Sequence, residues 1–275
     1  MVTWLNESFE MRFRFIDGLT VRFAASEQRD DHALLLSPWP ESLLAFDQVW
    51  PQLAQRAHLV ALDLPGFGHS QHSESLLSPQ AMGEFIIAAA DAFGLDHPHV
   101  VAPGTATPAA LFAAARHPGR LRSLVVGSSA AAVPLQVGGI VKDVIDAPDL
   151  EGYRRGDPQQ LVNAALSAIS RYSLPEAVRQ DYLASYQGNR FAESLRYLRS
   201  YPAELPVLAE LLPRIATPVL IIAGARDTEV PAANPGFLHQ RLPQSKLDVI
   251  DAGRFTWEDA AAEYADLVSR WWRAC

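Results

Sequence analysis

Cysteine is almost absent from this 275-residue chain: the single one, Cys275, is its last residue. No internal disulfide can form, and a thiolate metal centre or a cysteine nucleophile is disfavoured. Long apolar runs are missing too. None approaches the ~18 residues that a bilayer span requires, and the opening MVTWLNESFEMRFRF has no signal-peptide core. These absences lead us to expect a soluble, cytoplasmic protein. Positive charge is in deficit, with 23 Lys+Arg against 31 Asp+Glu and a formal charge of -8. That balance argues against nucleic acid or an anionic membrane as the main partner. No internal repeat or low-complexity tract is visible.

What remains is a chain able to bury a core, with 49% apolar and 20% charged residues. Its first half alternates short apolar or β-branched runs with helical patterns, the signature of a mostly parallel sheet flanked by helices. Residues 13–16 and 19–23 flank Asp17-Gly18 and predict an opening hairpin. Strands are expected at 33–36, 59–62, 100–102 and 124–126, and helices at 43–55, 79–93 and 107–116. The chain closes on a strand at 219–223, a helix at 235–242, a strand at 246–250 and a helix at 257–272. Between them the rhythm breaks. Residues 131–214 hold no convincing strand, several amphipathic helical patterns (160–170, 176–186, 191–201), and six of the seven tyrosines. The expectation is one α/β core, residues 1–130 and 215–275, carrying a helical cap at 131–214.

Three stretches carry a resemblance. The first is Ala61-Leu62-Asp63-Leu64-Pro65-Gly66-Phe67-Gly68-His69-Ser70. The second is the strand-turn-helix of 99–118, which ends in Arg116-His117-Pro118-Gly119-Arg120-Leu121. The third is Val219-Leu220-Ile221-Ile222-Ala223-Gly224-Ala225-Arg226-Asp227. In this order, with a helical insertion before the third, they resemble the α/β-hydrolase superfamily over essentially the whole chain. The similarity is to its capped branch of epoxide hydrolases and haloalkane dehalogenases. Pro40-Glu41-Ser42 after Trp39 resembles the oxyanion loop of soluble epoxide hydrolases. The resemblance implies an α/β-hydrolase fold with an eight-stranded, mostly parallel sheet and an inserted cap. Function does not follow from fold.

The resemblance also implies a catalytic triad, and two of its positions are replaced. The family's nucleophile stands on a strained strand-to-helix turn. Counting back from His117-Pro118 places Gly104 there, and glycine has no attacking atom. Thr105, one residue on, is the alternative nucleophile, though its hydroxyl needs a base; the plainer reading is a helix-entry residue. Where the family's histidine belongs, the chain reads Gly253-Arg254-Phe255, and an arginine with a pKa above ~12 cannot accept a proton. Asp227 matches the acid position. Facing Arg254, it is expected either to form an ion pair or to leave the guanidinium partly free for a carboxylate, enolate or phosphate. Of the eight histidines, His69 alone is expected near the site mouth.

The oxyanion loop reads Ser37-Pro38-Trp39 instead of the usual His-Gly. An oxyanion hole requires backbone N–H groups, and the family's geometry assigns them to Trp39 and Thr105. Ser37 and Trp39 are expected against the substrate, with Tyr197 or Tyr201 of the cap reaching its oxygen; tyrosines at helical spacing also serve as packing residues. A small organic molecule is therefore the expected ligand, with no metal and no cofactor. The chemistry implied is non-covalent and oxyanion-stabilising, of lyase, isomerase or cyclase type. A non-catalytic pseudo-hydrolase and a hydrolase with an unconventional nucleophile remain as alternatives.

Overall fold

The computed structural model describes residues 9–275. Its eight strands are β1 (Met11–Ile16), β2 (Leu19–Ala25), β3 (His32–Leu36), β4 (His58–Leu62), β5 (His99–Pro103), β6 (Ser123–Gly127), β7 (Val219–Gly224) and β8 (Ser245–Ile250). They form one sheet in the order β1-β2-β4-β3-β5-β6-β7-β8. The β1–β2 and β2–β4 pairs are antiparallel and all others parallel. Asp17 (φ 47°) and Gly18 (φ 81°) turn the first hairpin, the two positive φ values that a tight two-residue loop needs. The central strands β4, β5 and β6 are buried at every position. Helices cover both their faces, so they read as continuous apolar runs.

Helices Pro79–Ala92 and Ala106–Arg116 pack together against the sheet, and Ala261–Ala274 closes the chain. Three expected helices are interrupted. Residues 43–55 divide into a 3-10 turn, Leu43–Phe46, and a short helix, Trp50–Leu53, because Pro51 belongs in a first helical turn and not inside a longer helix. Residues 257–272 break at Ala260, whose backbone (φ -140°, ψ 42°) separates Thr256–Asp259 from Ala261–Ala274. Residues 191–201 end as Arg190–Arg199, and Pro202 opens the next helix, Tyr201–Leu211.

Between β6 and β7 the described chain contains helices but no strand: Gly139–Asp146, Glu151–Arg155, Pro158–Leu166, Glu176–Ser185, Arg190–Arg199 and Tyr201–Leu211. Buried polar contacts fasten this insertion to the core. The Arg22 guanidinium binds Asp63 at 2.7 Å and takes both oxygens of Asp181, on helix Glu176–Ser185, at 2.6 and 2.9 Å. Ser42 donates to Asp181 at 2.6 Å. Burial alone would push the Asp181 carboxyl up, but hydrogen bonds from Arg22, His69 and Ser42 hold it well below the usual carboxylate range. A buried charge released from its partner costs about 3–5 kcal/mol, so this anchor is strong.

Candidate functional site

Strand β5 ends at Pro103, and the chain turns through Gly104 into helix Ala106–Arg116. Gly104 has φ +57°, the left-handed region that only glycine enters freely. A Cβ built on it would meet Pro38 at 3.6 Å and Trp257 Cη2 at 3.8 Å, both ordinary contacts. A Cβ would fit at this turn, and the sequence supplies none.

A small cavity of ≈ 10 Å³ lies against the turn, bounded on its polar side by Thr105, Ser128, Ser129, Tyr201 and Arg254. That is room for about one water molecule. The Thr105 and Ser128 hydroxyls are buried and have no hydrogen-bond partner among the described residues. The Tyr201 hydroxyl lies by Ser129 without a formed hydrogen bond, and burial raises its pKa, so it remains a donor at neutral pH. Among the described residues the main-chain N–H groups of Trp39 and Thr105 also have no acceptor. Val137, Val141, Leu198 and Tyr201 of the insertion line the cavity, and beside it Tyr197 OH donates to the Thr105 carbonyl at 3.1 Å.

Arg254 and Asp227 are not an ion pair. Arg254, 6% exposed, donates instead to the Glu229 carboxylate. Asp227 Oδ1 accepts the backbone N–H groups of Glu229 and Val230, each at 2.9 Å. This turn-capping bond fixes the short aspartate side chain over its own loop, while the longer Glu229 reaches the guanidinium. Burial raises the Asp227 pKa, partly opposed by those N–H donors and by the positive field of Arg254.

Other expected residues are also committed elsewhere. Ser37 is fully buried, and its hydroxyl accepts Leu64 N–H at 3.2 Å, bracing the ends of β3 and β4. The Trp39 indole donates to Ser194 at 2.9 Å and packs on Phe191, so it is an insertion contact. His69 lies 3.3 Å from Asp181, outside the lining of the cavity. Thus Gly104, Thr105, Tyr201 and Arg254 meet at one cavity, Tyr197 is bonded to Thr105 beside it, and Ser37, Trp39 and Asp227 do not line it.

Several residues give little or no sequence signal. Glu229 sits two positions after Asp227, but only side-chain geometry pairs it with Arg254. Ser128 follows β6 with φ +49°, hinted at only by the small-residue run Gly127-Ser128-Ser129. Behind Trp257 two buried carboxyls meet. Glu41 accepts from Trp257 Nε1 at 3.0 Å, and Glu258 accepts from Tyr182 OH at 2.9 Å and from Gln48 at 3.1 Å. Burial and the proximity of Glu258 push the Glu41 pKa well up, and burial brings Glu258 to about 7.

A family profile described as "alpha/beta hydrolase fold" matches residues 33–261. The chain belongs to the α/β-hydrolase family. RutD of Caulobacter sp. (strain K31) is 27% identical over 266 residues, spanning 86% of this chain and 89% of that one. A pimeloyl-(acyl-carrier protein) methyl ester esterase of Neisseria meningitidis serogroup A is 26% identical over 261 residues, 85% of this chain and 75% of that one. The epoxide hydrolase VrEH1 from Vigna radiata superposes with a TM-score of 0.80 at 16% identity, covering 98% of this chain and 99% of that one. Such a likeness speaks for the fold.

Within this α/β-hydrolase the cavity is lined by hydrogen-bond donors and holds no imidazole among the described residues. One group of side chains, His72, Glu74 and Glu193, has ligand atoms within 4.8 Å of one another. Arg196 already binds Glu74 at 2.7 Å and Glu193 at 3.1 Å, and its positive charge opposes a metal ion there. No helix among the described residues is long and apolar enough to cross a membrane.

Proposed function

We propose that this α/β-hydrolase-family chain binds a small organic molecule between its core (1–130 and 215–275) and a cap formed by 131–214, without covalent hydrolysis. One observation carries the reading. Gly104 stands at the strand-to-helix turn with φ +57° and offers no attacking atom. Arg254, at the position of the family's histidine, is a fixed cation paired with Glu229 and cannot shuttle a proton.

The groups left at the cavity are donors: the Thr105 amide, the hydroxyls of Thr105, Ser128 and Tyr201, and the Arg254 guanidinium, with the Trp39 amide outside its lining. Fixed donors in a dry cavity suit an oxygen that gains negative charge during reaction, such as an enolate. Any chemistry is then of lyase, isomerase or cyclase type, needs no cofactor, and moves protons within the substrate. Ester hydrolysis, named for the Neisseria relative, requires a nucleophile and a base together. Thr105 does not replace them, because its hydroxyl has no base beside it among the described residues.

A second reading is non-catalytic ligand binding. The ≈ 10 Å³ cavity favours it, since a guest larger than water requires the cap to move.

Chromogenic esters, epoxides and haloalkanes, assayed for turnover and for thermal stabilisation in parallel, test the proposal. The expected result is stabilisation by some compounds with no hydrolysis. The Gly104→Ser/Arg254→His double variant is expected to gain ester hydrolysis, because the turn has room for a side chain. Hydrolysis by the unaltered protein would overturn the reading.

A further inference from the structure

A second, larger chamber lies across the wall formed by Ser128 and Val230, residues that line both it and the turn cavity. Its volume is ≈ 280 Å³, close to that of a small-molecule pocket. Ala223 at the end of β7, Leu247 and Val249 on β8, and Pro235 of helix Ala233–Arg241 make its walls apolar. Val249, 59% exposed, marks the side open to solvent.

Two polar groups interrupt that lining. Ser128 is 5% exposed, and its hydroxyl has no partner among the described residues. Buried hydroxyls normally find one. Asp227 is the other. Its Oδ1 is occupied by two backbone N–H groups, whereas Oδ2 makes no hydrogen bond among the described residues. The Arg254 guanidinium is committed to Glu229, and no Lys or Arg lines the chamber. The chamber therefore has the opposite character to the donor-lined turn cavity and lacks a cation.

We propose that this chamber is a binding site for a small apolar amine. The ammonium is held by the Asp227 carboxylate and the Ser128 hydroxyl, and the hydrocarbon lies on Ala223, Leu247 and Val249. A charge-assisted bond at a half-buried carboxylate is about twice as strong as a neutral one, so amines are preferred over alcohols of the same shape. The raised pKa of Asp227 is consistent with a buried carboxylate short of positive charge. The inference does not rest on the reading of the turn cavity, although the two sites share Ser128.

Titration of the ¹⁵N-labelled protein with n-butylammonium, n-butanol and butyrate at pH 7.5 tests it. n-Butylammonium is expected to shift the amides of 223–230 and 247–249 and to bind at least about tenfold tighter than n-butanol, with no binding of butyrate at that site. Asp227→Asn, which retains an oxygen for the two N–H groups, is expected to erase the tenfold preference. Ala223→Leu, which fills the chamber, should abolish binding of both neutral and charged probes. Equal affinity for amine and alcohol would overturn the proposal. So would amine binding unchanged in Asp227→Asn, or shifts confined to Gly104, Thr105 and Arg254. If Ala223→Leu does not fold, the Asp227→Asn comparison decides.

Discussion

The indole of Trp257 donates to the Glu41 carboxylate at 3.0 Å, and the far edge of the same ring stands 3.8 Å from where a side chain on Gly104 would begin. One aromatic plate thus joins a buried acid to the turn that the α/β-hydrolase fold uses for chemistry. Glu41 is fully buried and its carboxyl neighbour is Glu258. Tyr182 and Tyr186 of the insertion hold the pair from the other side, by bonds to Glu258 at 2.9 Å and to the Glu41 carbonyl at 3.2 Å.

This pair makes stability depend on pH. Both carboxyls bind a proton more tightly in the folded chain, chiefly because burial disfavours the charge. The Glu258 contribution is complete below the ordinary carboxyl pKa of 4.5 and is lost as pH rises through about 7, where Glu258 titrates. Urea unfolding at pH 5 and pH 8 is expected to show a loss of roughly 3 kcal/mol from Glu258. Glu258→Gln, which preserves an acceptor for Tyr182, should flatten that profile. An unchanged pH dependence in Glu258→Gln would show that the pair does not carry it.

The Arg22–Asp181 pair predicts a local effect. Asp181 is held below the usual carboxylate range, so its contribution is present above the unfolded pKa of 3.8 and fades as pH falls below it. Arg22→Ala leaves Asp63 and Asp181 without their buried partner and is expected to cost about 3–5 kcal/mol. Hydrogen exchange should accelerate first in 176–199 if the anchor fastens the insertion. Uniform acceleration across the sheet would assign Arg22 to the core alone.

Gly104→Ala separates backbone strain from crowding. Its Cβ meets nothing closer than 3.6 Å, so the only cost is the left-handed φ, about 1–2 kcal/mol. Chemical denaturation that finds a much larger loss would mean that the turn is more tightly packed than these distances allow.

Much of the fold is legible in the sequence, because β4, β5 and β6 are buried along their whole length and leave unbroken apolar runs. The hairpin at Asp17-Gly18 is legible through its backbone demand. Helix interruptions are harder. Pro202 separates two helices by opening the second, although the apolar pattern continues across the junction. At the site, Gly104, Thr105 and Arg254 converge because motif spacing reports backbone position, and Tyr201 joins them from the insertion, where no motif marks it. Side-chain pairing escapes it. Asp227 spends an oxygen on its own loop, and Glu229 takes the guanidinium; nothing in the order of residues distinguishes these two carboxylates.

The small size of the space beside Thr105 bears on timing as much as on affinity. On the proposed reading, a visitor larger than the single water this space admits must wait for the insertion to shift, however abundant it is in solution. Entry then has a ceiling fixed by the protein's own opening, and an occupant once enclosed leaves on the same clock.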